Sequence, residues 1–455
     1  MAMGKRAMQR QETLWVPTAD VPQSPGHPFY QKLNELLDGN GFDAFVEGQC
    51  RPFYAEVMGR PSIPPAVYFR MLLIGYFEGI DSERGIAWRV SDSMSLRAFL
   101  GYRLADGTPD HSSVSRTRRL LPLEVHAAVF TWVLTVLAKS ELLKGKTLGI
   151  DATTLEANAA LRSIVRRDTG ETYEAFLTRL AKASGIETPT REDLARIDKH
   201  RKNKGSNKDW EHPHDPDSGI TKMKDGRTHL SHKAEHAVDL DTEAIVAVTV
   251  QPASEGDTDT LAWTLLEAES NLEQVAEDPK AQTKLHDKPL SEVVTDKGYH
   301  SNATMTDLNE SGVRSYASEP DRGRRKWKGK AAARDAVYAN RRRVRGERGK
   351  RLLRKRGELL ERPFAHLYDT GGMRRTHLRG TGNILKRLLV HAGAFNLGLV
   401  MRKRIGRGTP RGLAAACQSI FDWLRHLRAL MQASWAVTVH SGGPLSDFHP
   451  RLDAA

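Results

Sequence analysis

From Gly26 to about Pro122 the apolar positions recur at helical spacing, broken by short polar turns. Pro64 and Pro65 stand at the head of VYFRMLLIGYFEG, where a helix start tolerates a residue without an amide proton. Ser112 is read as the cap of SVSRTRRLLP, which leaves Arg116, Arg118 and Arg119 on an exposed face. LPLEVHAAVFTWVLTVLAKSELL predicts a long helix. The period then changes. TLGID is a short β-branched and apolar run, expected to be a buried strand with Asp151 at its C-terminal end. THLSHKAEHAVDLDTEAIVAVTV alternates as a hairpin does, with its turn at Asp241–Thr242. TDTLAWTLLEAESNLEQVAE reads as a helix, SEVVTDKGYHS as a strand ending at Thr295–Asp296, NATMTDLNESG as a helix and RSYAS as a strand. NILKRLLVHAGAFNLGLVMRKR carries Leu385, Leu388, Leu389, Ala392, Phe395 and Leu399 at the spacing of a core-facing helix.

These patterns divide the chain. Residues 1–25 are polar and proline-bearing, as in a loose arm, and 26–140 form a helical N-terminal domain. Residues 141–405 form an α/β domain. Two stretches interrupt that domain: a charged insertion at about 163–227, read as loops around one or two exposed helices, and a basic segment at 321–356. Residues 406–455 add a helix (LAAACQSIFDWLRHLRALMQ) and a tail. Short helices joined by tight turns and bearing arginines resemble a helix-turn-helix reader of DNA.

The formal net charge of +13 draws polyanions, which makes nucleic acid the first partner class to consider. Seventeen of the residues from Arg322 to Arg356 are Lys or Arg, with Trp327 and Tyr338 among them. That mixture suits phosphate contact and stacking on unpaired bases. The runs at Val67–Phe77 and Ala127–Ala138 are too short to span a bilayer, and the N-terminus has no apolar segment behind its Lys and Arg. A protein with no membrane attachment, working in the cytoplasm, is expected. Cys50 and Cys417 lie far apart, so neither a disulfide framework nor a cysteine zinc site is expected. His229, His232 and His236 sit in a strand pattern, where His229 and His232 face opposite ways while His232 and His236 share a face, which argues against zinc. Lys233 beside them offers an ammonium to phosphate. No glycine-rich run leads into Lys-Ser or Lys-Thr, so no ATP-driven step is expected.

Two acids, Asp151 and Asp296, end two apolar strands. If the strands are neighbours, the carboxylates meet at one sheet edge and repel. Hard divalent cations such as magnesium relieve that repulsion, and two such ions can serve both the attacking and the leaving oxygen of a phosphodiester. Glu361 is the candidate third acid, with Glu358 one turn earlier as its rival; both follow the basic run. Pro363 either starts a helix after Glu361 or kinks one. Lys297, Tyr299 and His300 follow the second acid closely. They are read as orienting a phosphate or a flipped base, with core packing of Tyr299 as the alternative.

GIDATTLEANA, SNKDWEHPHDPDSGITKMKDGRTHLSHKAEHAVD, VVTDKGYHS, RGELLERPFAHLYDTGGMRRTHLRG and LLVHAGAFNLGL, in that order, resemble successive blocks of bacterial insertion-sequence DDE transposases. GRPSIPPAVYFRMLLIGYFEGIDSERGIAWRV is similar to that family's N-terminal domain, and the likeness runs from about Gly59 to about Leu413. The resemblance implies an RNase H-like mixed sheet flanked by helices, with Asp151, Asp296 and Glu361 as catalytic metal ligands. It implies two Mg2+ ions, with Mn2+ able to substitute. Terminal inverted repeats and target DNA are the implied substrates, and a DNA-assembled homodimer the working form, nucleoid-associated when bound. Relatives often carry a Tyr and an Arg before the glutamate and a Lys one or two helical turns after it; here Gly357 lies four before Glu361 and Arg356 five before, Tyr368 stands where the Lys is expected, and Arg356, Arg374 and Arg375 are expected to supply the charge. With Arg116, Arg118, Arg119, Lys297, Arg341, Arg342 and Arg343 they make up the expected DNA contacts. A DNA-binding protein without catalysis and a plain nuclease on the same core are the competing readings.

Overall fold

Proline and glycine punctuate the N-terminal helices. In a computed structural model, which describes residues 26–55, 62–201, 205–223, 226–321, 323, 325–415 and 425, helix α1 spans Pro28–Gly39 and α2 Phe42–Cys50. Helix α3 (Pro65–Glu78) starts on Pro65 and stops at Gly79, whose φ of 70° is the left-handed conformation that closes a helix. Helices α4 (Glu83–Asp92), α5 (Met94–Phe99), α6 (His111–Leu120) and α7 (Leu123–Lys139) complete the helical region. Ser112 is not the cap of α6. Asp110 takes that place, and its carboxylate accepts from the Ser113 amide and the Ser112 hydroxyl, each at 2.8 Å. A carboxylate also answers the positive end of the helix dipole, which a hydroxyl does not.

Strand β1 (Thr147–Glu156) opens the α/β region. The insertion holds β2 (Val165–Arg166), α8 (Tyr173–Ala183), α9 (Arg191–His200), β3 (Trp210–Glu211) and β4 (Gly219–Lys222). It packs a small core of its own around Trp210, Ile164 and Leu230. The hairpin follows as β5 (Thr228–Asp239) and β6 (Ile245–Pro252), then α10 (Asp257–Ala276), α11 (Pro279–Gln282), β7 (Glu292–Thr295), α12 (Asn302–Glu310) and β8 (Arg314–Ala317). The basic segment folds as α13 (Ala331–Arg345) and leads into α14 (Glu347–Phe364), before the apolar α15 (Thr381–Ile405). The expected arm, and most of the helix and tail expected after Gly406, lie outside the described residues.

Among the described residues the main sheet has six strands, with β5, β1, β7 and β8 side by side and both β4 and β6 paired to β5. Strands β1, β7 and β8 run parallel, and β5 runs antiparallel to β1 and to β6. Helices α10 and α15 pack on β6, α14 on β1 and β7, and α13 on β8. Gly149 makes one of these approaches possible: a Cβ there would lie 2.7 Å from Leu360 of α14 and 2.8 Å from Leu240. Asn396, buried in α15, accepts from the Ile245 amide at 2.9 Å and donates to its carbonyl at 2.8 Å, so the polar residue in the apolar helix satisfies the start of β6. The segment Thr381–Ala415 is long and apolar enough to cross a bilayer, but 89% of its apolar window is buried against the rest of the chain.

Candidate active site

The parallel ladder between β1 and β7 pairs Thr147 with Glu292, Leu148 with Val293 and Gly149 with Val294, and ends there. Two residues beyond the last pair on each strand stand Asp151 and Asp296. Both acids therefore sit level, where the two strands part. Asp151 is not at the end of its own strand: β5 keeps pairing with β1 as far as Glu156, and it is β7 that ends. Asp296 caps a single 3-10 turn, Lys297–Tyr299, by accepting from the Gly298 amide at 2.8 Å.

A further acid converges on this point. A Cβ on Gly298 would lie 2.6 Å from Asp257 Oδ2 and 3.1 Å from Asp296 Oδ1, so glycine is what leaves room for both carboxylates. Burial pushes the Asp151 carboxyl above the usual aspartate range; Arg356 opposes that shift, and the charges of Asp296 and Asp257 add to it. The Asp257 carboxylate is held from below by Lys233, whose Nζ lies 2.8 Å from Oδ1 and donates to Thr260 at 2.9 Å. Lys233 is buried, so the sequence reading of it as a phosphate contact is corrected: its ammonium is spent inside the fold. Glu235 beside it accepts from Tyr299 Oη at 2.8 Å and from Thr260 and Thr264 of α10. Tyr299 is thus a core residue that pins the turn carrying Asp296 to strand β5.

Glu361 lies on the exposed side of α14, one residue past the buried Leu360. Pro363 neither starts nor ends that helix; α14 runs through it and relaxes into a π-helical turn over Ala365–Thr370. Tyr368, at the position where a lysine was expected, is buried and bonds to His236 Nε2, which accounts for the departure: the position faces core. His232 is likewise buried, 3.1 Å from Asp215. Among the described residues no group of three His, Cys, Asp or Glu side chains stands ready to cage a metal ion.

The expected DNA contacts divide. Arg116, Arg119, Lys297, Arg342, Arg374 and Arg375 are exposed, though Arg374 pairs with Asp369 at 2.7 Å and Arg375 with Glu156 at 3.7 Å. Arg118 turns inward to Glu83 at 2.8 Å and Asn383 at 3.0 Å. Arg341 is bound to Glu319 at 2.6 Å and Arg343 to Ser315 at 2.9 Å. Arg356 reaches Asp151 itself, Nη2 to Oδ2, at 2.9 Å.

The family described as Transposase domain (DUF772) matches residues 18–120, and the family described as Transposase DDE domain matches residues 207–397. The chain belongs to the DDE transposases. It is a DNA-cutting and strand-transfer enzyme whose catalytic domain has the RNase H-like fold, and enzymes with this domain generally work with divalent metal ions. No curated protein and no solved structure matches it. The second match contains Asp296 and Glu361, and the helical match ends with α6; Asp151 lies between the two matches, two residues past the last pair of the β1–β7 ladder. Asp257 and Glu235 were missed by sequence reasoning, which had given Lys233 a different role. The available signal was the acid-rich start of α10, GDTD, directly after a strand.

Proposed function

We propose that Asp151, Asp296 and Glu361 are the catalytic acids of this transposase and that they hold two Mg2+ ions, which Mn2+ can replace. The observation that carries this reading is the common height of Asp151 and Asp296 at the split of the parallel ladder. The donor set fits a hard cation: aspartates close enough to disfavour each other's charge offer oxygen ligands, and the neighbouring Arg356 already answers the demand for positive charge. When bound, the metal supplies Lewis acidity to the attacking and leaving oxygens of a phosphodiester.

The protein's own residues do the rest. Strands β1 and β7 fix the two aspartates on a rigid base, and Tyr299 with Glu235 keeps the Asp296 turn from drifting. The exposed Lys297, Arg342 and neighbouring arginines grip phosphates and align the strand to be cut. Cutting at an element end frees a 3′ hydroxyl, which attacks target DNA in line. No covalent protein intermediate and no ATP are required. Terminal repeats and target are both duplex DNA, and pairing two ends calls for a DNA-assembled dimer. The site of work is the bacterial cytoplasm, with the protein on the nucleoid when bound.

A strand-transfer assay tests this, with purified protein, a labelled element end, target plasmid and magnesium, and Asp296→Ala alongside. Joined product from the wild type and none from the variant is expected. Equal joining by both proteins removes Asp296 from the site, and cutting without joining reduces the activity to that of a nuclease.

A further inference from the structure

Arg356 is the cation nearest the proposed chemistry, and it points into the site. Its side chain is 13% exposed, with Nη2 2.9 Å from Asp151 Oδ2. Its Nε donates to the Ile150 carbonyl at 3.2 Å, which fixes the guanidinium plane along β1. The other carboxylate oxygen, Oδ1, accepts from the Ala152 amide at 2.9 Å. One oxygen of Asp151 is therefore held by backbone, which does not move, and the other by a side chain, which can. Helix α14 comes this close only because Gly149 has no side chain to meet Leu360. Lys233, the other buried cation here, is committed to Asp257.

A guanidinium remains charged at every pH a protein meets, and it binds carboxylate and phosphate with similar geometry. It cannot share a carboxylate oxygen with a divalent cation without repulsion between the two positive charges. We propose that Arg356 is a stand-in cation, a positioning residue that keeps Asp151 oriented before metal arrives, releases it to the ion, and transfers to a phosphate of the DNA strand. This rests on the assignment of Asp151 as a metal ligand. Two consequences are specific. Metal binding to the free protein works against Arg356, so removing the guanidinium strengthens it. DNA, by drawing Arg356 away, also strengthens metal binding, and by linkage metal strengthens DNA binding by the same factor.

Mn2+ titrations followed by the electron paramagnetic resonance signal of the free ion test this on the full chain, for wild type, Arg356→Gln, Arg356→Lys and Arg356→Gln in an Asp151→Asn background. Arg356→Gln is expected to bind Mn2+ roughly tenfold more tightly than wild type, a usual size for coupling between two ligands. Arg356→Lys should fall between, and the gain should vanish with Asp151→Asn. An element-end duplex added to the wild type should tighten Mn2+ binding, and should do so less in Arg356→Gln. An unchanged or weakened Mn2+ affinity in Arg356→Gln overturns the proposal; should that variant not fold, a wild-type Mn2+ affinity indifferent to DNA does the same. Joining by wild type and its loss in Asp151→Asn separate the two layers: if that pair behaves as expected while Arg356→Gln is flat, the stand-in role alone falls.

Discussion

Helices α6 and α14 carry arginines in similar patterns, and the fold uses them differently. On α6, Arg116 and Arg119 face solvent while Arg118 turns in to Glu83 of α4 and Asn383 of α15. That contact joins the helical region to the last helix of the catalytic region, and nearby Lys386 adds bonds to the carbonyls of Arg118 and Leu121. On α14, Arg351 and Arg354 face solvent, Arg348 is exposed but pairs with the buried Glu292 of β7, and Arg356 turns in to Asp151 of the adjacent β1. The inward arginine of α6 is a strut between two regions. The inward arginine Arg356 of α14 rests on Asp151, the first of the proposed catalytic acids. A basic helix is thus a mixture of roles, and only the partner tells them apart.

The largest effect that sharpens this contrast is expected from Asp151→Asn, which should abolish joining while element-end binding persists in a gel-shift assay. Arg118→Ala should do the reverse, lowering stability by about 2 kcal/mol in denaturant titration, because Glu83 is left largely buried without its partner. Its joining rate per folded molecule should hold; a drop in salt dependence with unchanged stability would instead make Arg118 a DNA contact. Acid comes next. Burial lowers His126, on α7 against Tyr68 of α3, to about 4. The unfolded chain binds a proton near pH 6.5 that the folded chain refuses, so stability is full above that pH and is lost as pH falls toward 4. At pH 5.5 the loss from this group is about 1 kcal/mol, and His126→Gln should flatten the acid limb of a stability–pH curve. Smallest is Arg351→Ala on the outer face of α14. It should reduce the slope of log affinity against log salt by about 0.9, the value of one phosphate contact, and leave stability within about 0.5 kcal/mol.

Much of this was legible because strand and helix periods differ. TLGID, VVTD and RSYA each stood out as a short apolar run, and the hairpin of β5 and β6 was carried by alternation around Asp241. The pairing of Asp151 with Asp296 followed from two such runs each leading to an acid. What escaped was contact across distance. Lys233 and Glu235 lie on β5, Asp257 on α10 and Tyr299 after β7, and only the packing of α10 against the sheet unites them. The inward turn of Arg118 and Arg356 was equally hidden, since spacing along a helix gives a face but not what that face meets. Tyr368 looked like a missing lysine until His236, on β5 opposite Asp151, proved to be its partner.

The level standing of Asp151 and Asp296 has a consequence for how such a chain tolerates change. The offset between partnered residues is constant along the ladder, so the two acids are indifferent to how much chain lies between their strands. A whole subdomain with its own core has been accommodated in that interval, between β1 and β5, without disturbing their alignment. One residue added inside β1 would be another matter: every side chain after it would swing to the opposite face, and Asp151 with it. Evolution is free to lengthen this enzyme by dozens of residues at a loop and is forbidden to lengthen it by one within the strand.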